Sequence, residues 1–115
     1  MRRAPRAGRY AERTLTGFDD GGSAERIVIW IEWKPGGVWG VGRAVNPQHR
    51  PSDEPRVDDW LFEGYELDDA LAAANGALAA DLAVSREDGV AESARPFARE
   101  EVLAKLERWF FGRAS

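Results

Sequence analysis

"RIVIWIEWKPGGVWGVGRAV", residues 26–45, decides the fold. From Arg26 to Trp33 nearly every position is β-branched or aromatic, the composition of a strand that is buried on at least one face. Lys34-Pro35-Gly36-Gly37 breaks the run. Pro35 pre-sets φ for the second position of a turn, and Gly36 accepts the positive φ that a type II turn requires next. The return segment, residues 38–45, then completes an antiparallel hairpin. With a connection of two or four residues, Trp33 faces Val38, Glu32 faces Trp39, Ile31 faces Gly40, Trp30 faces Val41 and Ile29 faces Gly42. One face then carries Ile27, Ile29, Ile31 and Trp33 beside Gly40, Gly42 and Ala44. The other carries Val28, Trp30 and Glu32 beside Trp39, Val41 and Arg43. A three-residue connection would instead set Trp33 opposite Trp39, and the residues alone leave both registers open.

Outward from the hairpin the pattern continues. Tyr10, Thr14, Thr16 and Phe18 alternate loosely, predicting an edge strand over 11–18 that ends at Asp19-Asp20-Gly21-Gly22-Ser23. Residues 46–56, "NPQHRPSDEPR", are a proline-rich loop close to the length at which loops become uncommon unless mobile or functional. A strand over 57–65 follows, with Trp60 and Phe62 on one side and Leu61, Glu63 and Tyr65 on the other. The period then changes from two to about 3.6. Asp68 is placed as an N-cap with Leu67 as its staple, and Leu71, Ala74, Leu78 and Leu82 mark a helix over 69–84. Its many alanines allow close approach to a sheet, which puts it over the isoleucine and glycine face. A second helix over 97–111 shows an apolar stripe of Val102, Leu103, Leu106, Trp109 and Phe110, with Glu101 and Lys105 as an i,i+4 pair.

The expected architecture is therefore α+β: an antiparallel meander sheet of three to four strands, then two C-terminal helices, one packed on the sheet. Where the second helix docks is left open. At 115 residues one domain is expected. A basic arm at residues 1–9, read as disordered, precedes a domain over residues 10–115. Residues 1–16 carry +4, which leaves −8 on the remainder of a chain whose net charge is −4. An acidic body disfavours a broad phosphate-binding face. The absence of cysteine removes disulfides, thiolate nucleophiles and Cys-based metal sites. No apolar run reaches the roughly 18 residues of a membrane span, and "MRRAPRAGRY" lacks the apolar core of a secretory signal. A cytoplasmic location without membrane contact is expected. Fourteen arginines against two lysines suggest a GC-rich bacterial genome.

Catalytic and metal motifs are not evident. His49 is the sole histidine, in the proline-rich loop near Ser52, Asp53 and Glu54, without the rigid partners a nucleophile-base pair needs. Asp58, Asp59, Glu63, Glu66, Asp68 and Asp69 lack the spacing of an EF-hand. "GVGRAV" places its glycines in mid-hairpin rather than between a strand and a helix, so no phosphate loop is expected. Neither a metal nor a small-molecule cofactor is expected. What stands out is the second hairpin face, with Trp30, Trp39 and Arg43 as the candidate binding surface. The favoured function is an interaction module without a catalytic centre, self-associating or binding a protein partner through that aromatic face. The alternative is single-stranded nucleic-acid binding, with bases stacked on Trp30 and Trp39 and phosphates met by Arg43 and the N-terminal arginines. An enzyme, the second alternative, would need a pocket around Glu63, Tyr65 or His49.

"WLFEGYELDDALAAANGAL", following "WKPGGVWGVGR", resembles small bacterial proteins of unassigned function over roughly residues 24–85. The resemblance implies no catalytic or binding residue. The order of strands and helices is also similar to the single-strand-binding coactivator and whirly folds, a topological likeness that does not carry function.

Overall fold

The turn between the two central strands sets the layout of the sheet. In the computed structural model, which describes residues 6–18, 21–45, 59–84 and 95–111, β2 (Ala24–Lys34) and β3 (Val38–Val45) are joined by a three-residue connection. Gly37 N–H donates to the Lys34 carbonyl at 3.1 Å, closing the expected turn around Pro35 and Gly36. Gly36 has φ +108°, and Gly37 also takes a positive φ, +86°. That second left-handed residue adds one position to the connection. Trp33 consequently pairs with Trp39, and Ile31 with Val41.

A slip of one residue moves every β3 side chain to the opposite face. Trp39, Val41, Arg43 and Val45 therefore join Ile27, Ile29, Ile31 and Trp33, while Gly40, Gly42 and Ala44 lie with Val28, Trp30 and Glu32. This corrects the expected pairing of isoleucines with glycines.

β1 (Gly8–Phe18) pairs with β2, and β4 (Asp59–Gly64) pairs with β3, giving an antiparallel four-stranded meander in the order β1-β2-β3-β4. Two helices follow, α1 (Leu67–Val84) and α2 (Arg99–Phe111), so the chain is α+β. β1 starts three residues before the expected position, so Gly8 and Arg9 belong to the sheet rather than to a basic arm. Residues 1–5, the expected loop at 46–56 and most of the segment between the helices lie outside the described residues.

Both outer strands contain a bulge. Between Arg9 and Ala11 the register with β2 shifts at Tyr10, and between Trp60 and Phe62 the register with β3 shifts at Leu61. An extra residue lets two neighbours point the same way. Tyr10 and Ala11 are both buried in the core, and Leu61 and Phe62 both pack against it. Strict alternation had put Phe62 with Trp60 and Leu61 with Glu63. The bulge instead leaves Trp60 and Glu63 on the side of the sheet away from the core, opposite Gly42 and Gly40.

The isoleucine face is the core, as its pattern implied. Leu15, Ile29, Ile31 and Val41 are at most 1% exposed, and Ala70, Ala74 and Leu78 of α1 close over them. Each fully buried aliphatic side chain contributes roughly 1.5–3 kcal/mol of burial free energy. Ala70 and Ala74, both 0% exposed, let the α1 backbone approach the sheet. Asp68 and Asp69 sit inside the first turn of α1, where the helix dipole favours negative charge; the helix starts at Leu67, so Asp68 lies two positions past Glu66 rather than at the expected cap.

α2 settles on the same face, along β1 and against α1. Val102 and Phe97 are buried and Leu106 is partly so, whereas Leu103 is exposed rather than part of the apolar stripe. Asn75 ties the entry of α2 to α1: its amide donates to the Phe97 carbonyl at 3.0 Å and accepts from Phe97 N–H at 2.7 Å. Glu101 and Lys105 do not pair with each other, because Arg13 takes Glu101 and the Arg9 carbonyl takes Lys105. With both helices on one face, the opposite face carries no helix among the described residues.

Candidate functional site

The register separates the three residues singled out in the sequence. Trp39 is 6% exposed on the helix side, edge-to-face with Tyr10 at 5.6 Å and with Trp33 at 4.9 Å. Arg43 is on the same side and donates from Nε and Nη2 to the two oxygens of Asp81 on α1, at 2.9 and 3.0 Å. Trp30 alone lies on the helix-free face. The expected surface of Trp30, Trp39 and Arg43 is thus split between the two faces of the sheet, a direct result of the extra residue at Gly37.

A different aromatic group is assembled on the helix-free face. Its floor is made by glycines: a Cβ at Gly42 would overlap the Trp30 ring, and one at Gly40 would lie 2.8 Å from Lys34 Cδ and 3.1 Å from Trp60 Cζ3. Trp30 and Trp60, from β2 and β4, therefore reach across β3 and meet edge-to-face at 6.1 Å with an interplanar angle of 71°. Each ring also carries a cation. The Arg9 guanidinium is 3.9 Å from the Trp30 ring centre, and Lys34 Nζ is 3.9 Å from that of Trp60. Lys34 also pairs with Glu63 at 3.0 Å, and the Trp30 indole N–H donates to Glu32 Oε1 at 2.5 Å.

The array of Arg9, Trp30, Trp60 and Lys34 takes its side chains from β1, β2 and β4 and lies over the glycines of β3. Trp30 is 1% exposed and Trp60 is 37% exposed, so Trp60 is the ring that solvent or a partner meets. Opposed charges flank it. The register places Arg9, Arg26 and Lys34 on this face together with Glu12, Glu32 and Glu63. Among the described residues the charges on this face sum to zero, on a chain of net charge −4.

Arg9 and Lys34 sit on the two indoles, and the described charges of the face cancel, whereas single-strand binding surfaces combine open rings with an excess of positive charge. Glu63 is engaged by Lys34, and Tyr65 is 79% exposed. His49 and Ser52 lie outside the described residues. Among the described residues no group of three His, Cys, Asp or Glu side chains could hold a metal ion, and no helix is long and apolar enough to cross a membrane.

Comparison of the chain with protein-family models, with curated proteins and with solved structures gives no match.

Lys34 and Trp60 are not among the candidate surface residues that the sequence suggests, and Arg9 enters there only as one of the N-terminal arginines of the nucleic-acid alternative. Gly40 and Gly42 were the available signal: paired glycines two apart in a strand mark a place where large neighbouring rings lie flat.

Proposed function

We propose that this protein is a small, non-enzymatic interaction module that self-associates through the helix-free face of its sheet. The observation that carries this reading is the neutral, mixed-charge face around the exposed Trp60. In a two-fold dimer the same patch meets itself, so each cation on one copy requires an anion on the other. Arg9, Arg26 and Lys34 against Glu12, Glu32 and Glu63 meet that requirement, whereas a surface of one sign would repel its copy. A central, partly exposed tryptophan bounded by polar side chains is also the anatomy of an interface anchor. On this reading the module works in the bacterial cytoplasm, without a cofactor.

Sedimentation equilibrium of the full chain from micromolar to millimolar concentration tests it. The expected result is a monomer-dimer equilibrium that Trp60→Glu abolishes while the far-UV circular dichroism is unchanged. Glu63→Lys, which upsets the charge balance without touching a ring, is expected to weaken it as well. A monomer at every concentration, or a dimer indifferent to both substitutions, rejects the reading.

A further inference from the structure

β1 contributes two charged side chains to the helix-free face, Arg9 and Glu12. They pair with each other at 2.8 Å, and the Arg9 guanidinium lies over the Trp30 ring. The backbone of both residues is gripped by groups from the helix side. The Arg9 carbonyl accepts from Lys105 Nζ of α2 at 2.6 Å, and the Glu12 carbonyl accepts from Arg13 Nη1 at 2.9 Å. Arg13 is in turn bound to Glu101 of α2. Directly or through one side chain, α2 therefore reaches the two charged positions that β1 gives to the face on which α2 does not lie.

Two features let this linkage transmit a change. The first is the bulge at Tyr10, which falls between Arg9 and Glu12. A bulge interrupts the ladder to β2, so the aim of Arg9 depends more on what holds it from outside the sheet. Tyr10 itself turns to the helix side, where its ring meets Trp39 edge-on and Lys105 Nζ lies 5.9 Å from the ring centre. The second is the anchorage of α2. Its buried apolar anchors are Val102 and, on its approach, Phe97, whereas α1 buries Ala70, Leu71, Ala74 and Leu78. An element with few buried apolar side chains opens at a lower free energy than the whole fold.

We propose that α2 regulates the self-association face: docked on β1, it fixes Arg9 over Trp30 and so completes that face. The proposal rests on the reading of this face as the surface through which two copies meet. With α2 docked, Arg9 and Glu12 present a set pattern of charge to the other copy. With α2 displaced, the stretch of β1 before the bulge loses the Lys105 anchor, Arg9 leaves the indole, and the face loses one ordered cation-anion pair. Coupling of this kind is reciprocal. Dimerisation must in turn hold α2 more firmly against β1.

Lys105→Met tests the proposal, because it removes the bond to the Arg9 carbonyl at an exposed position away from the interface. In sedimentation equilibrium of the full chain it is expected to raise the dimer Kd about fivefold, the loss of one hydrogen bond. Lys105→Arg, which still donates, is expected to keep the wild-type Kd. In proton NMR of dilute, monomeric samples, the Arg9 side-chain methylenes are shifted upfield by the Trp30 ring in the wild type and are expected to move back in Lys105→Met. Amide exchange in α2 is expected to slow when the wild type is concentrated enough to dimerise. A chain that is monomeric at every concentration overturns both this proposal and the dimer reading. A dimer whose Kd ignores Lys105→Met, or whose α2 exchanges as fast as in the monomer, overturns this proposal alone. So does a raised Kd with the Arg9 resonances unmoved, since the effect would then bypass Arg9.

Discussion

Arg13 on β1 grips both carboxylate oxygens of Glu101 on α2, Nη1 to Oε2 at 2.8 Å and Nη2 to Oε1 at 2.7 Å. The same guanidinium donates to the carbonyls of Arg95, Pro96 and Glu12, so all five of its N–H groups are used. It is 5% exposed and lies 4.5 Å from the centre of the Phe97 ring. An arginine so placed is a clasp between the first strand and the start of the last helix.

Removing its counter-charge leaves a buried cation unanswered. Glu101→Gln is expected to destabilise the fold by about 3 kcal/mol, read from urea unfolding at neutral pH. The hydrogen bonds from Arg13 hold the Glu101 carboxyl below the usual glutamate range. A lowered folded pKa gives stability that is complete above the ordinary value of about 4.3 and declines as the pH falls through the folded value. The difference between wild type and Glu101→Gln is therefore expected to shrink on acidification below that range. A difference that stays constant with pH would show that the charge of Glu101 is irrelevant to the clasp.

Gly42 supplies the floor under Trp30. Gly42→Ala drives a methyl group into the indole, so the ring must leave its place between Arg9 and Trp60. The expected cost is about 1–3 kcal/mol, together with a loss of near-UV circular dichroism from the Trp30-Trp60 pair. Gly76→Ala is the contrast, because a Cβ there meets nothing within 4 Å. That helical position is expected to gain roughly 0.5–1 kcal/mol.

Arg43 and Asp81 form a side-on pair whose carboxylate is largely buried. Asp81→Ala is expected to cost about 2 kcal/mol by removing the carboxylate that accepts from Nε and Nη2 of Arg43. In a double-mutant cycle, Arg43→Ala combined with Asp81→Ala is expected to cost less than the sum of the single changes. Strict additivity would show that the pair contributes packing alone.

Much of the architecture was legible because periodicity and turn chemistry are local. The β-branched run at 26–33, the Pro-Gly turn and the change of period after Tyr65 placed β2, β3 and α1 within a few residues. The faces were less legible. Whether Gly37 joins the strand or the turn is a choice of one backbone angle, yet it decides on which side Trp39 and Arg43 emerge. Bulges at Tyr10 and Leu61 are equally silent in the sequence, since each depends on how a neighbouring strand lies. Contacts between distant segments, Arg13 with Glu101 and Asn75 with Phe97, carry no local signature. Asn75 interrupts a helical pattern, and that anomaly was the visible trace of its docking role.

The bulges have a bearing on how copies of this chain can meet. A meander presents two bare margins, one along β1 and one along β4, and an unprotected margin invites another strand to extend the ladder. Here both margins are locally kinked by an extra residue, at Tyr10 on one and Leu61 on the other. An incoming strand cannot keep step with either for its whole length. Growth in the plane of the sheet, the route to open-ended fibres, is thereby disfavoured at both ends, which leaves the broad surface between them for the self-association proposed above.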